Sequence, residues 1–200
     1  MSVEEIKRKV IRISLLGDAG VGKTSILNAF LNLEFSPNTV ANIGVEKQNT
    51  KMKMKDGKEM KIIIWDTAGQ DRFHSIATST IKNSQGIVVS FDVSSKKTFE
   101  SVPSWLEDIK SNNNKIPIIL FGNKCDLMEK REVEEEEAEE FANKINLWYL
   151  ETSAKENINI KEGFEKIIEL AYEKTRNTVL GTDLEEVKNK KDKKKKKGMC

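Results

Sequence analysis

Apolar residues occur along this chain in short runs separated by longer stretches of mixed polarity. Runs rich in β-branched residues and leucine lie at Val10–Leu16, Gly86–Asp92 and Ile116–Gly122, and a shorter run lies at Leu147–Leu150. The second and third runs are apolar throughout, which is typical of strands covered on both faces. We therefore predict a strand at each of the four positions.

A β-hairpin is predicted between the first and second of these strands. Val45–Lys55 and Met60–Trp65 flank the dipeptide Asp56-Gly57. This dipeptide is favoured in two-residue hairpin turns, so we expect two antiparallel strands joined by a turn of that kind.

Four helices are predicted between and after the strands, at Gly22–Leu31, Thr98–Ser111, Val133–Lys144 and Ile160–Thr175. Strands that alternate with helices are typical of right-handed crossovers and parallel pairing. The expected fold is a three-layer α/β structure, with a mainly parallel six-stranded sheet, one antiparallel strand and helices on both faces. Ligands of such sheets bind beyond the carboxyl ends of the strands.

Composition and charge argue against a membrane-spanning protein, a secreted protein and a nucleic-acid-binding protein. The 200 residues contain no apolar run of the ~20 residues that a membrane span requires, and Met1–Lys9 lacks the apolar core of a secretory signal. The two cysteines are too few for a disulfide framework, so we expect a cytoplasmic protein. We also expect a monomer. Lys188–Cys200 carries a net charge of +7 while the rest is mildly acidic, which argues against nucleic acid as a partner. We place the domain at residues 1–176 and a lysine-rich tail at 177–200.

Gly17–Thr24 (GDAGVGKT) matches the phosphate-loop pattern G-x-x-x-x-G-K-[ST] at every fixed position. It lies between a predicted strand and a predicted helix, as a phosphate loop must, and predicts the P-loop NTPase class of fold. Glycines allow backbone N–H groups to converge on phosphate, and the helix N-terminus adds a favourable dipole. We expect Lys23 to reach the β- and γ-phosphates and the Thr24 hydroxyl to ligate Mg²⁺. The alternative is a chance glycine-rich turn that caps a helix.

Trp65–Gln70 (WDTAGQ) follows the second hairpin strand. Asp66 could hold the metal through its water shell, the Gly69 N–H could approach the γ-phosphate, and Gln70 could orient the attacking water. An aspartate at a strand end is often only a turn former, but the upstream phosphate loop favours the metal site.

Asn123–Asp126 (NKCD) follows another predicted strand and suits recognition of a base. The Asp126 carboxylate can accept two hydrogen bonds from guanine, whereas adenine would leave it unpaired at a high cost. We expect Lys124 and Phe35 to pack over the ring, and Ser153-Ala154-Lys155 to contact the base and Asp126. Each short motif is weak alone, but the four in this order are specific.

With these motifs, the chain resembles the small GTPases of the Ras superfamily and is most similar to their Rab branch. The resemblance covers Val10–Tyr172 and the tail. It implies exchange factors, GTPase-activating proteins and effectors, vesicle traffic, prenylation at Cys200 and attachment to the cytoplasmic face of an anionic intracellular membrane. The implied nucleotide-binding residues are Asp18, Ala19, Gly20, Val21, Gly22, Lys23, Thr24, Ser25, Phe35, Asp66, Gly69, Asn123, Lys124, Asp126, Ser153, Ala154 and Lys155.

The chain departs from the family pattern in its first switch region. Asn42 stands where the family has a threonine that ligates Mg²⁺, so the metal set becomes Thr24, Asn42 and Asp66. Lys47 replaces a large aromatic residue, and in the second switch region Thr80-Ile81 replaces paired tyrosines. Three hypotheses follow: a slow GTP hydrolase with Gln70 and Lys23 as catalytic residues, a weakly cycling nucleotide-bound interaction module with an altered first switch, and an ATP phosphotransferase, which Asp126 disfavours.

Overall fold

A six-stranded sheet forms the centre of the computed structural model, which describes residues 10–35, 45–67, 74–113 and 115–177. The strand order is β2-β3-β1-β4-β5-β6. β2 pairs antiparallel with β3, and the other neighbouring pairs are parallel. This confirms the predicted mainly parallel sheet with one antiparallel strand. The strands are β1 Val10–Leu16, β2 Val45–Lys53, β3 Glu59–Thr67, β4 Gly86–Asp92, β5 Ile118–Asn123 and β6 Trp148–Thr152.

Helices cover both faces of the sheet and complete the predicted three layers. On one face, Ile13 and Ile62 of the sheet pack in an apolar cluster with Ile26 and Phe164 from two helices. A second cluster fills the other face, where the remaining helices lie. The helices are α1 Lys23–Phe30, α2 His74–Asn83, α3 Lys96–Glu100, α4 Val102–Asn112, α5 Glu135–Lys144 and α6 at residues 160–177. Within the described ranges, no helix is long and apolar enough to cross a membrane.

The predicted set of helices needs two corrections. The helix predicted at Thr98–Ser111 is two helices, α3 and α4, which meet at Ser101. Pro103 lies in the first turn of α4, where its missing N–H and fixed φ suit a helix start and not a helix interior. Helix α2 was not predicted, because serine and threonine give its sequence weak helix propensity. Burial of Thr80 and Ile81 shows that α2 packs on the core through this pair.

The predicted hairpin is present, but its loop is one residue longer than predicted. Gly57 N–H donates to Met54 O at 2.9 Å and Met54 N–H donates to Lys58 O at 2.8 Å, which closes a three-residue loop. Within the dipeptide only Gly57 has a positive φ, 84°. A two-residue turn of the expected type would need a positive φ at both positions, so this hairpin uses the longer loop with a glycine bulge.

The chain order around β1 places the candidate motifs at one edge. β1 lies between β3 and β4, and β5 and β6 continue the sheet in parallel. Because parallel strands end at a common edge, the segments that follow β1, β4, β5 and β6 meet there. Phosphate-loop and base-recognition motifs are therefore neighbours in space.

Candidate nucleotide-binding site

The phosphate loop connects β1 to α1, and two of its glycines are required by close approaches. Gly17 has a φ of 136°, and a Cβ there would lie 2.1 Å from the carbonyl oxygen of Ser90 on β4. Gly22 has a φ of 95°, and a Cβ there would lie 2.5 Å from Nδ2 of Asn123. Both backbone conformations are rare for residues with side chains. The loop thus packs tightly against β4 and against the base-recognition segment.

Lys23 is the buried cation of this loop. Its Nζ donates to the carbonyl oxygens of Gly17 at 2.9 Å and Asp18 at 2.7 Å. Burial lowers its pKa to about 8, against the opposing influence of the carboxylates of Asp66 and Asp18. The protein therefore keeps an ammonium group at low dielectric beside the loop, which is the position needed to meet phosphate oxygens.

Thr24 and Asp66 lie together at the start of α1 and the end of β3. The Thr24 hydroxyl donates to Oδ2 of Asp66 at 2.5 Å, and Asp66 is fully buried. Register between β1 and β3 places Asp66 opposite Leu15. Hydroxyl and carboxylate oxygens are the hard ligands that Mg²⁺ prefers, so the donors present fit this ion.

Asn123 joins three segments of the site. Its Nδ2 donates to Val21 O of the phosphate loop at 2.8 Å. Its Oδ1 accepts from the Thr152 hydroxyl and from Ala154 N–H, both at 3.3 Å. Since Asn123 is 1% exposed, these bonds form inside the protein. They connect the phosphate loop with both base-recognition motifs.

Asp126 and Ser153 meet as the sequence predicted. The Ser153 hydroxyl donates to Oδ1 of Asp126 at 2.6 Å and accepts from Glu156 N–H at 3.0 Å. Between them, Cys125 N–H donates to Thr152 O at 3.1 Å. Burial raises the pKa of the Cys125 thiol, with further contributions from Glu151 and Asp126, so this cysteine is a weak nucleophile.

Lys124 is held by a partner that the sequence analysis missed. Its Nζ lies 2.5 Å from Oδ2 of Asp92 at the end of β4. Oδ1 of Asp92 accepts from the N–H of Ser94 at 2.9 Å and from its hydroxyl at 2.7 Å. Asp92 thereby fixes the ammonium end of Lys124 and leaves the methylene chain to pack over a ring.

Two further supports of the site were also missed. Arg131 forms a bidentate ion pair with Glu151, at 2.6 and 2.9 Å, just before Thr152. The Trp105 indole donates to the Asp18 carboxylate at 2.8 Å from 87 residues away. Neither contact has a local sequence signal, because both join residues that only the fold brings together.

The other predicted residues differ in exposure, and some of them lie outside the described residues. Ala19, Gly20 and Lys155 are exposed at the site, Ala154 is buried and Ser25 is half-buried on α1. The Phe35 side chain, beyond α1, is 42% exposed. The predicted residues Gly69, Gln70, Asn42 and Cys200 lie outside the described residues.

Together, these groups can bind a nucleoside phosphate. The phosphate loop offers main-chain N–H groups, a buried cation and a hydroxyl beside a carboxylate. Asp126 lies at the same edge of the sheet and can accept hydrogen bonds from a base. Asn123 fixes the spacing between the two halves of the site.

Comparison with known proteins agrees with this arrangement. The sequence profile of the Ras family matches residues 12–173. The chain is 41% identical over 164 residues to Ras-related protein Rab11A of Lotus japonicus, covering 82% of this chain and 72% of that protein. It is 40% identical over 156 residues to human Ras-related protein Rab-30, covering 78% and 76% of the two chains. Ras-related protein Rab-10 of Diplobatis ommata is 38% identical over 167 residues, with 83% of each chain covered.

Proposed function

The chain belongs to the Ras family of small GTPases, and from this premise we propose that it is a GTP-controlled switch that regulates vesicle traffic. As a Ras-family GTPase it is an enzyme that hydrolyses GTP to GDP and phosphate. One observation supports guanine as its base above all. Asp126, held by Ser153 at 2.6 Å, lies at the edge of the sheet that carries the phosphate loop.

Base choice follows from the donors that each purine presents to Asp126. Guanine offers a ring N–H and an amino group to the two carboxylate oxygens, whereas adenine offers neither there. An adenine complex would bury an unpaired carboxylate, and sites built to pair a ligand group reject analogues lacking it by ~10⁴-fold or more. Competition of GTP and ATP against a fluorescent mant-GTP complex tests this directly. ATP competing as well as GTP would overturn the assignment.

Hydrolysis is assigned to Gln70 and Lys23. Gln70 orients the attacking water, while Lys23 stabilises the negative charge that develops on the phosphates. Thr24, Asp66 and the first switch residue Asn42 would hold Mg²⁺, which would supply positive charge against the phosphate oxygens when bound. Turnover should be slow without an activating protein that supplies an arginine or its equivalent.

Single-turnover hydrolysis of GTP, with and without a cell extract as a source of activating protein, tests this half of the proposal. The Gln70→Leu variant should keep its affinity for GTP and hydrolyse it more slowly. An unchanged rate in this variant would mean that another group orients the water.

A second candidate is favoured by Asn42, which lies outside the described residues. The family threonine gives Mg²⁺ a short hydroxyl, and the longer amide of asparagine meets octahedral geometry less well. The chain would then be a nucleotide-bound interaction module whose first switch closes poorly with GTP. Phosphorus NMR of a GTP-analogue complex should show more of the closed state in Asn42→Thr than in wild type. Identical spectra would show that asparagine substitutes fully for threonine.

Membrane attachment is proposed for the tail, through prenylation of Cys200 and the lysines that precede it. One lipid chain gives marginal, reversible binding, and basic residues near an anionic surface add ~1 kcal/mol each. Replacing Lys193–Lys197 with glutamine should therefore release the lipidated protein from membranes. Mass spectrometry of native protein with an unmodified Cys200 would overturn the lipid half of this proposal.

A further inference from the structure

Asp18 is an acidic residue within a loop that gathers N–H groups for phosphate. Its carboxylate is bound from outside the loop, by the indole N–H of Trp105 on α4, at 2.8 Å. Its main-chain carbonyl accepts from Nζ of Lys23 at 2.7 Å. A single residue of the loop thus joins the buried cation on one side to helix α4 on the other.

The charge of Asp18 explains why its side chain needs a fixed position. A carboxylate that turned toward the phosphates would repel them at short range, where the low dielectric of a buried site strengthens electrostatic forces. The indole N–H is a donor with no acceptor capacity, so it holds an acceptor such as this carboxylate and nothing else. The contact keeps the charge of Asp18 on the α4 side of the loop.

Helix α4 is a firm support for this contact. Trp105 is 9% exposed and belongs to the apolar cluster that also contains Leu106 and Ile109 of α4 and Ile81 of α2. Packing therefore fixes the indole ring independently of the hydrogen bond from its N–H to Asp18.

A purely structural role is the competing explanation, because buried tryptophans usually find a partner for the indole N–H. Any nearby main-chain carbonyl would serve that need. The partner here is instead an ionised side chain in the phosphate loop, one whose own carbonyl holds Lys23. The contact therefore joins the core to the site through a charged group.

We propose that Trp105 is a positioning residue of the nucleotide site, which acts through Asp18 to keep the phosphate loop in its binding geometry. The inference rests on the proposed guanine-nucleotide site. Its expected consequence is slower nucleotide release than the loop would achieve without this bond.

A matched pair of variants tests the bond without disturbing the core. Asp18→Asn and Asp18→Ala remove the same charge, but only asparagine retains an oxygen that can accept from the indole. Release of mant-GDP, excited directly at the mant group, should be about five- to tenfold faster from Asp18→Ala than from Asp18→Asn, as expected for loss of one partly buried hydrogen bond. Equal rates would overturn the proposal.

A double-mutant cycle separates positioning from packing. Trp105→Phe keeps most of the ring and removes the N–H, and it should speed release several-fold in wild type but less than twofold in Asp18→Ala. Trp148→Phe, on β6 near Lys166, is the control for loss of a tryptophan and should leave release unchanged. The same acceleration by Trp105→Phe in both backgrounds would show that Trp105 acts through packing alone.

These outcomes are distinct from failure of the proposed function. A wild-type chain that does not retain mant-GDP at all would refute the guanine-nucleotide site itself. A wild-type chain that retains it, with unchanged release from Trp105→Phe and equal release from the two Asp18 variants, would refute only the role of Trp105.

Discussion

The base half and the phosphate half of the site use their polar groups in different ways. In the base half, Asn123 bonds Val21 and Ala154, and Ser153 bonds Asp126, so the segments brace one another. In the phosphate half, Lys23 bonds two main-chain carbonyls and Thr24 bonds Asp66. The first set of bonds is a framework, whereas the second consists of the very groups that phosphate and metal would engage.

This difference bears on how such a switch can work. A framework that does not depend on the γ-phosphate retains the base in both nucleotide states. The phosphate half differs, because the buried Lys23 has a lowered pKa and the Thr24 hydroxyl is bonded to Asp66. The charge of Lys23 and the partner of Thr24 can therefore change when phosphate or a metal ion binds. We infer that the base half binds the nucleotide alike in both states, and that the phosphate half provides the response to the γ-phosphate.

The largest effect is expected from a substitution of Asp126, the residue that pairs with the base. Asp126→Asn replaces a two-oxygen acceptor by one oxygen and one amide donor, which suits xanthine and leaves guanine mismatched. We expect guanine-nucleotide affinity to fall by ~10³-fold or more and the preference to shift to xanthosine phosphates, on the energetics of unpaired buried groups. Competition binding with GDP and XDP measures both changes.

Lys23→Ala is the counterpart of that exchange in the phosphate half. It should weaken GDP and XDP equally, because it removes charge from the phosphates and leaves the base contacts in place. A change of base preference in Lys23→Ala would contradict the division of the site into two halves.

If Asn123 is part of a framework, its removal should destabilise the folded protein even when no nucleotide is bound. Asn123→Ala leaves Val21 O and Ala154 N–H without their buried partner, which should lower the free energy of unfolding by about 2–4 kcal/mol. Urea unfolding of nucleotide-free protein measures this. Asn83→Ala, an exposed asparagine that bonds Ser79 O within α2, is the control and should change the free energy by less than ~0.5 kcal/mol.

The sequence could predict the loops of the site, but not the side-chain contacts that support these loops. The phosphate loop, Asp66, Asn123–Asp126 and Ser153 could be proposed from the sequence because their chemistry depends on fixed local spacing. Asp92, Arg131 and Trp105 were missed, because each meets its partner only after folding.

The same distinction holds for the fold. β1 and β4 were predicted to the residue because each is a short run made mostly of apolar residues, and their bounds need no tertiary information. Helix α2 and the three-residue hairpin loop were not, because packing of Ile81 and the bond from Tyr172 to Asp56 stabilise them from elsewhere in the chain.

Ser153 tests the framework on a smaller scale. Ser153→Ala removes the donor that orients Asp126 while the carboxylate remains, so guanine-nucleotide affinity should fall by about 5- to 20-fold, as for loss of a charge-assisted hydrogen bond. Discrimination against ATP should persist. Ser104→Ala on the exposed side of α4 should have no effect, and an equal loss there would show that the change at Ser153 is not specific.

The smallest expected effect is the pH dependence of the phosphate half. The pKa of Lys23 is lowered to about 8 in the folded protein because burial disfavours the ammonium ion. Between that value and its ordinary value the unfolded chain holds more protons than the folded chain. The free energy of unfolding of nucleotide-free protein should therefore rise as the pH passes upward through this window.

Nucleotide affinity should change in the opposite direction. Phosphate binds the charged lysine, so the complex must recover a proton that the free protein has lost at high pH. With a pKa of about 8, the charged fraction of Lys23 falls about fourfold between pH 7.0 and 8.5, and GDP affinity should fall by about the same factor. The range from pH 7.0 to 8.5 lies below the pH at which guanine loses its ring proton. Lys23→Arg keeps its charge throughout and should bind GDP with no such slope, whereas an equal slope in both proteins would place the titrating group elsewhere.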